Sequence, residues 1–300
     1  MNTRRAFRII ITSVIISFAL IGGVAYRTIR STVYRFSYSP EAKQQIEKNR
    51  AFLIEHYHPE QVHFTTCDNI TLSGLFIPRK HAKRAILICH GYGMSKELMR
   101  RFVSFFPHDS ILLFDFRAHG ESGGHVITIG NHEQWDVQAA VDFLHAQPET
   151  ARLPIVGVGV SMGGATLLGA AAHGVNFQAL IIDSSFGRLC DQVSHAFYKY
   201  TGLPRFLFMP AVVFLFEYLA GASPTKVVPV EFISKIHCPV LVVHSLADEM
   251  TPATIAQELF EAAHEPKELW LVKGSKHGFI RRDYPEEYAH KIEHFLHHYT

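Results

Sequence analysis

The chain from Ile155 to Gly164 has the sequence Ile-Val-Gly-Val-Gly-Val-Ser-Met-Gly-Gly. Its first six residues are mostly β-branched and predict a buried strand, and the Ala- and Leu-rich run that follows predicts a tightly packed helix. Between them, Gly-Val-Ser161-Met-Gly fits G-x-S-x-G, a pattern that exposes a serine hydroxyl on a sharp, strained turn. Glycines flank the serine because side chains there would collide with the neighbouring strand or helix. By itself the pattern is a weak signal, because an ordinary Gly/Ser turn looks the same.

Length and composition describe a globular protein with a sizeable core. The 300 residues suit one large α/β domain, or one domain with additions, and 48% of them are hydrophobic. A formal net charge of +2 gives no sign of a nucleic-acid partner. Cys89 and Cys238 lie in or beside apolar strand runs, which favours buried free thiols over disulfides, and no cysteine pair has zinc-finger spacing.

The amino terminus carries an uncharged, mostly apolar stretch from Ile9 to Tyr26. As a helix it would span about 27 Å, close to the hydrocarbon thickness of a bilayer. Arginines flank it on both sides, which favours an uncleaved single-pass anchor; the alternatives are a signal peptide cut after Ala19 or Ala25 and a buried core helix. The balance of arginines indicates no side of the membrane for the rest of the chain. We therefore expect a membrane anchor and linker over residues 1–37, and a globular domain over residues 38–300.

Short apolar runs alternate with helical patterns through most of that domain. A hairpin is predicted on either side of Asp68-Asn69, and a helix is predicted to begin at Ser39-Pro40. The alternation predicts a doubly wound, mostly parallel sheet with helices on both faces. The predicted strands after the hairpin are 85–89, 111–115, 155–160, 179–183, 239–244 and 268–272, and helices are predicted at 95–106, 133–146, 252–263 and 285–299.

Residues from about 186 to 235 break the alternation, because they contain no clear strand pattern. Within them Phe206–Phe216 is strongly apolar, but it is too short to cross a membrane and Pro210 interrupts it. We expect a helical cap insertion over the carboxyl edge of the sheet, where it would shape a substrate pocket. The alternative is an excursion that only packs against the core.

Catalytic chemistry at Ser161 requires a histidine to take the hydroxyl proton and a carboxylate to orient that histidine. In a doubly wound sheet, functional groups gather at the carboxyl ends of the strands. Two later predicted strands are followed by Asp248 and His277, which gives the order Ser161, Asp248, His277 expected for the α/β-hydrolase fold. We predict these three as the catalytic residues. Asp183, which also follows a predicted strand, is the alternative acid, and a turn or helix cap is the alternative role of Asp248.

Several motifs together resemble α/β-hydrolases of the serine-aminopeptidase-like group, which includes membrane-anchored hydrolase-domain proteins. The resemblance covers roughly residues 60 to 300. Its motifs are His90-Gly-Tyr-Gly93, Asp115-Phe-Arg-Ala-His-Gly-Glu-Ser122, Gly159-Val-Ser-Met-Gly163, Pro239-Val-Leu-Val-Val-His244 with Asp248 and Pro252, and Gly274-Ser-Lys-His277. Two positions depart from the pattern, because Ala118 and Ser245 stand where such proteins usually have Gly.

The resemblance implies that Ser161 attacks an acyl carbonyl, that His277 shuttles its proton, and that Asp248 orients the imidazole. The backbone N–H of Met162, directly after the nucleophile, is a candidate donor to the oxyanion. The resemblance adds the backbone N–H of Tyr92 as a second donor. It implies no metal and no organic cofactor.

These expectations describe a membrane-tethered serine hydrolase. The expected substrate is a small-molecule or lipid ester or thioester with an apolar acyl group, because the apolar cap and the anchor would hold the site near lipids. One alternative is a serine peptidase or aminopeptidase, as the resemblance allows. The other is a non-catalytic binding module that keeps the fold.

Other histidines receive structural interpretations. His90 and His119 are predicted to brace the loops around the site. Three histidines of the final helix, His290, His294 and His298, have the i, i+4 spacing that can bind a metal. They fall on the polar side of an amphipathic helix, so we interpret them as solvated.

Overall fold

A computed structural model describes residues 22–300, and an eight-stranded sheet lies at its centre. The strands are β1 (Glu60–Thr65), β2 (Thr71–Ile77), β3 (Ala85–Cys89), β4 (Ser110–Phe114), β5 (Ile155–Val160), β6 (Ala179–Asp183), β7 (Val240–Ser245) and β8 (Lys267–Val272). The α-helices are α1 (Pro40–Tyr57), α2 (Glu133–Ala146), α3 (Met162–Ala172), α4 (Leu189–Thr201), α5 (Arg205–Ala220), α6 (Pro229–Ile233), α7 (Ala253–Ala262), α8 (Ile280–Asp283) and α9 (Pro285–Tyr299). Two 3₁₀ segments lie at Lys96–Phe105 and Pro224–Lys226.

The strand order is β1-β2-β4-β3-β5-β6-β7-β8. Strands β3 to β8 are parallel, whereas β1 and β2 form the predicted antiparallel hairpin and join the sheet through β4. The chain goes from β3 outward to β4 and then returns to place β5 on the other side of β3. This reversal is a topological switch point, where loops that leave neighbouring strands open a crevice. The loops after β3 and β5 therefore meet at the carboxyl edge of the sheet.

Both faces of the sheet are covered, because every residue of the inner strands is buried. On β3, Leu87 and Cys89 belong to the same apolar cluster as the buried residues of α2 and α3. The intervening Ile86 and Ile88 belong to a second cluster, with the Lys96–Phe105 segment and α9. The predicted doubly wound, mostly parallel sheet is confirmed.

The segment predicted as a helix over 95–106 is a 3₁₀ segment, Lys96–Phe105. Met99, Phe102 and Phe105 are spaced by three residues, and side chains three apart lie above one another in a 3₁₀ helix. Met99 and Phe102 are fully buried and Phe105 packs beside them. The apolar spacing matched an amphipathic helix closely enough for the sequence to predict the wrong helix type.

The region from 186 to 235 contains α4, α5, the short 3₁₀ segment and α6 between β6 and β7. Helix α6 packs against α3, so this end of the region joins the core. Helix α5 is different, because Phe206, Leu207, Phe214 and Tyr218 expose more than half of their surface. Within residues 22–300, no single helix is long and apolar enough to span a bilayer; Arg205–Ala220 and Pro224–Ile233 meet that standard only as a pair bent by 95°.

Most of the predicted anchor, residues 9–21 of the stretch Ile9–Tyr26, lies outside the described residues, and the anchor stays a prediction. Residues 22–33 are helical. Contacts with the globular domain begin well before residue 38, since Ile29 and Val33 are buried in its core and Tyr34 forms a β-bridge with Val126. The segment predicted as a linker is thus partly packed on the domain.

A buried ion cluster fixes the loop that follows β4. The side chain of Lys96 is completely buried, and its Nζ lies 2.6 Å from Oδ2 of Asp115, 2.8 Å from Oε2 of Glu121 and 3.3 Å from Oε1 of Glu97. Burial alone would lower the pKa of the Lys96 ammonium, but the carboxylates of Asp115 and Glu97 outweigh burial and raise that pKa. A lysine pKa raised by folding adds stability at every pH below its ordinary value, and this stability is lost only as the pH rises through the raised pKa. The contribution is therefore complete at neutral pH.

We predict that Lys96→Met lowers the free energy of unfolding by about 3–5 kcal/mol, because it leaves the buried carboxylate of Asp115 without its cation. Urea unfolding at pH 7 measures this loss. The control is Lys80→Met, an exposed lysine whose replacement should change stability by less than about 0.5 kcal/mol. Equal effects of the two variants would contradict the stabilising role of the cluster.

Candidate active site

Ser161 occupies the turn between β5 and α3 in a strained backbone conformation, with φ +53° and ψ −116°. Its N–H donates to the backbone carbonyl of Asp183 at 2.8 Å, which ties the turn to β6. A non-glycine residue with this φ persists where the surrounding structure holds it, and such residues concentrate at active sites. The strand, turn and helix predicted around Ser161 are confirmed.

The two glycines of the motif have no room for a side chain. A Cβ on Gly159 would lie 2.5 Å from the backbone nitrogen of Gly164, and a Cβ on Gly163 would lie 2.3 Å from the carbonyl oxygen of Cys89. Both distances are far inside van der Waals contact with backbone atoms that cannot move aside. Helix α3 therefore packs directly on the backbone of β3 and β5, as the motif predicts.

His277 lies in the loop after β8 and connects the other two predicted catalytic residues. Its Nε2 is 2.9 Å from Oγ of Ser161, and its Nδ1 is 2.7 Å from Oδ2 of Asp248. A carboxylate only accepts hydrogen bonds, so Nδ1 carries the proton and Nε2 accepts from the serine hydroxyl. The side chain of Asp248 is inaccessible, whereas that of His277 is 15% exposed. The structure thus brings together the three residues in the order that nucleophilic catalysis requires.

The carboxylate of Asp248 is held by backbone as well as by His277. Its Oδ1 accepts from the N–H groups of Met250 at 2.8 Å and Thr251 at 2.9 Å. Burial alone would raise the pKa of this carboxyl, but the hydrogen bond and charge of His277, together with the two N–H donors, outweigh burial and lower that pKa. Asp248 is therefore ionised throughout the neutral range and orients the imidazole by a charge-assisted bond.

Asp183, the alternative acid, lies elsewhere in the network. Its carboxylate accepts from the hydroxyl of Ser184 at 2.8 Å and from the hydroxyl of Tyr288 at 3.0 Å. Burial raises its pKa, and the positive charge of Arg281 opposes that rise. Ser184 in turn accepts from the N–H of Gly278 at 3.2 Å, so Asp183 supports the histidine loop from behind. Of these two carboxylates, the one hydrogen-bonded to the His277 ring is that of Asp248.

Ser245 holds the acid loop against the histidine loop, a role that the sequence analysis missed. Its Oγ donates to the carbonyl of Ser275 at 2.5 Å and accepts from the N–H groups of Ser275 at 3.2 Å and Ala247 at 3.1 Å. This hydroxyl explains the departure noted at this position, because glycine has no side chain to form these bonds. The only sequence signal was a serine in place of the usual glycine.

The second departure, Ala118, has a φ of +57°. That is a conformation in which glycine is the unstrained residue, so the alanine carries a backbone cost here. Its N–H donates to the carbonyl of Gly123 at 2.8 Å, and its own carbonyl accepts from the N–H of Phe36 at 2.9 Å. The loop keeps its shape despite the methyl group, because both backbone groups are hydrogen-bonded.

The loop that carries Tyr92 lies against Ser161. A Cβ on Gly91 would be 3.5 Å from Cβ of Ser161 and 3.4 Å from the carbonyl oxygen of Val160, which is ordinary contact distance. Within the described part of the chain, the backbone N–H groups of Tyr92 and Met162 donate to no other group. Met162 begins α3, so its N–H points out of the first turn of the helix. Both predicted oxyanion donors are thus available beside Ser161.

His90 and His119 brace these loops, as predicted. Nδ1 of His90 donates to the carbonyl of Gly91 at 2.7 Å, and its Nε2 accepts from the N–H of Phe116 at 3.0 Å. Nε2 of His119 accepts from the N–H of Gly93 at 3.1 Å. Burial lowers the pKa of both imidazoles, and the neighbouring His119 ring lowers the pKa of His90 further. Both imidazoles are therefore uncharged at neutral pH, and they support the loops through hydrogen bonds.

Among residues 22–300, no group of three or more His, Cys, Asp or Glu side chains is placed to hold a metal ion. His290, His294 and His298 are exposed on α9, which fits their interpretation as solvated residues. The cysteines of the described chain, Cys67, Cys89, Cys190 and Cys238, are free thiols.

Comparison with known proteins finds a family match over part of the chain and a shared fold over most of it. A family model described as serine aminopeptidase, S33, matches residues 80–211, a range that includes Ser161 and ends before Asp248 and His277. An esterase from Pyrococcus furiosus superposes with a TM-score of 0.69 over 88% of this chain and 96% of its own, at 24% identity. The chain has the α/β-hydrolase fold.

Other relatives extend the same picture. The α/β-hydrolase GrgF from Penicillium has a TM-score of 0.64 at 22% identity and covers 80% of this chain and 98% of its own. An uncharacterised protein of Bacillus subtilis, YqkD, is 28% identical over 75% of both chains. An uncharacterised protein of Escherichia coli, YfhR, is 27% identical over 73% of both chains. The similarity to solved structures shows that this chain has the α/β-hydrolase fold.

We predict that Asp248→Asn lowers the rate constant of fluorophosphonate labelling of Ser161 by about 10³–10⁴-fold, because an amide in this position favours the wrong tautomer of the histidine. Asp183→Asn is the matched control at the neighbouring strand end, and we expect it to lose no more than about tenfold, or 1.4 kcal/mol. Circular dichroism of both variants establishes that equal amounts of folded protein are compared. A larger loss in Asp183→Asn would contradict the assignment of Asp248 as the acid.

Proposed function

We propose that this α/β-hydrolase is a serine hydrolase that cleaves acyl substrates through an acyl-enzyme. The observation that carries the proposal is the unbroken hydrogen-bonded series from Ser161 through His277 to Asp248, at 2.9 Å and 2.7 Å. The family match and the shared fold support a hydrolase. The strained backbone at Ser161 adds support, because a strained turn between a strand and a helix is the setting in which G-x-S-x-G exposes a nucleophilic hydroxyl.

In the proposed reaction, Oγ of Ser161 attacks the acyl carbonyl while Nε2 of His277 takes its proton. Asp248 stabilises the imidazolium that forms. The N–H groups of Met162 and Tyr92 would donate to the oxyanion, whose stabilisation by such donors is often the largest single contribution to catalysis. The C–O or C–S bond then breaks, and His277 returns its proton to the leaving group. Water repeats the sequence to release the acid and restore Ser161.

The proposed substrates are carboxylic esters or thioesters with an apolar acyl group, from a small molecule or a lipid. The exposed aromatic residues of α5, led by Phe206 at 85% exposure, support this choice, because they form an apolar surface on the cap. The solved structures of similar fold include proteins named as esterases. We further propose a membrane location through a single-pass anchor at Ile9–Tyr26, which would hold the cap near lipids.

Aminopeptidase activity is the second candidate, and the description of the matching family model is the observation in its favour. It needs the same nucleophile and the same proton shuttle, and it differs in the amide leaving group. A substrate comparison therefore separates the two candidates.

We predict that the full chain in detergent reacts with a fluorophosphonate probe and hydrolyses p-nitrophenyl esters. For the esters, kcat/KM should rise as the acyl chain lengthens from two to about eight carbons, because an apolar site gains about 0.8 kcal/mol per buried methylene. Ser161→Ala abolishes both reactions. The matched control is Ser104→Ala, an exposed serine on the 3₁₀ segment, which leaves both unchanged.

Turnover of aminoacyl anilides above that of the esters would favour the aminopeptidase instead. Absence of labelling in folded parent protein would overturn the catalytic proposal and leave a binding module.

A further inference from the structure

The segment Arg35–Tyr38, called the strap below, crosses the loop His90–Met94 that carries the proposed oxyanion donor. It follows the helical residues 22–33 and precedes α1. Most of it falls within the predicted anchor and linker, residues 1–37. In the structure it contacts both the oxyanion loop and the loop that follows β4.

Three contacts connect this part of the chain to the oxyanion loop. The hydroxyl of Tyr92 donates to the backbone carbonyl of Thr32, just before the strap, at 3.0 Å. The hydroxyl of Tyr38 donates to the carbonyl of Met94 at 2.6 Å. The ring of Phe36 lies so close to Gly93 that a Cβ there would be 2.9 Å from two of its ring carbons. The second half of the loop, from Tyr92 to Met94, is therefore held by two hydrogen bonds and covered by an aromatic ring.

Phe36 also packs against Tyr92 within the loop and against His119 beside it. Its ring meets that of Tyr92 edge-on with centroids 5.6 Å apart, and it stacks on His119 at 6.1 Å. His119 accepts the hydrogen bond from the N–H of Gly93. Gly93 has a φ of +72°, so the loop makes its turn between Phe36 and His119. Removal of the Phe36 ring would therefore leave a space directly behind Gly93, the residue after Tyr92.

The strap is itself anchored to the loop that follows β4. The guanidinium of Arg35 donates to three backbone carbonyls, of Ser122 at 2.7 Å, Gly120 at 2.9 Å and Gly124 at 3.3 Å. The hydroxyl of Tyr38 accepts from the N–H of Gly120 at 3.2 Å. That loop is fixed by the buried ion cluster around Lys96, so the strap joins the oxyanion loop to a rigid part of the core.

We infer that the strap is a positioning element for the oxyanion donor at Tyr92, with Phe36 as its main positioning residue. The inference rests on the proposed function. An oxyanion donor acts only when its N–H lies within about 2.7–3.1 Å of the position that the oxyanion will occupy. The strap contacts fix the loop that carries this N–H before the substrate arrives. The amino-terminal segment, which leads from the proposed anchor, is thereby part of the catalytic apparatus as well as a tether.

The test compares Phe36→Ala with Tyr34→Ala in the full chain. Tyr34 is a matched control, because it is an aromatic residue two positions away whose half-exposed ring lies beside Arg30, outside the oxyanion loop. For Phe36→Ala we expect kcat on p-nitrophenyl esters to fall by about tenfold to a hundredfold, less than the 10²–10³ lost with a whole donor. We expect KM to change by less than about threefold, because the oxyanion forms only in the transition state. Phe36→Leu keeps an apolar side chain beside Gly93 and should restore part of kcat.

The fluorophosphonate labelling rate gives a second readout, since the probe also develops negative charge on oxygen. Equal kcat values for Phe36→Ala and Tyr34→Ala, in parent protein that labels, would overturn the inference and leave the proposed function intact. A parent that does not label would instead overturn the proposed function. If Phe36→Ala fails to fold, Tyr92→Phe decides: it removes the bond to Thr32 and keeps the ring, and the inference requires a fall in kcat with unchanged KM.

Discussion

Helix α3 lies in direct contact with the backbone of the two central strands, β3 and β5. This contact exists because Gly159 and Gly163 have no side chains, and a Cβ on Gly163 would lie 2.3 Å from the carbonyl oxygen of Cys89. The same contact forces the turn at Ser161 into its positive φ. Since Cys89 ends β3, it also sets the loop after β3 beside the nucleophile. The fold and the site thus depend on one close approach of backbone to backbone.

Hydroxyl groups then hold the remaining loops in place around that turn. Ser245 joins the acid loop to the histidine loop, and Ser184 joins the histidine loop to β6. Each of these bonds crosses between loops that follow different strands, so the positions of Asp248 and His277 do not depend on their own loops alone. A catalytic geometry within a few tenths of an ångström requires support of this kind.

The sequence predicted the sheet, its alternation with helices and the three residues that meet at the site. It could do so because buried parallel strands are short apolar runs, and because G-x-S-x-G requires a specific strand and helix around Ser161. It did not predict the roles of Ser245 and Phe36. A serine in a loop and a phenylalanine before a helix belong to no periodic pattern. The partners that define their roles, Ser275 and Gly93, lie 30 or more residues away along the chain. The 3₁₀ form of Lys96–Phe105 was missed because apolar spacings of three and four residues overlap over so short a run.

The backbone conformation of Ser161 has opposite consequences for the proposed activity and for the stability of the folded protein. A non-glycine residue held at this φ and ψ costs about 1–3 kcal/mol, which the folded protein must offset elsewhere. Replacing Ser161 by glycine would remove the proposed nucleophile and relieve that cost in one step. Selection for thermal resistance alone would therefore favour glycine at this position. Serine stands here against the local preference of the backbone, as the proposed chemistry of its hydroxyl requires.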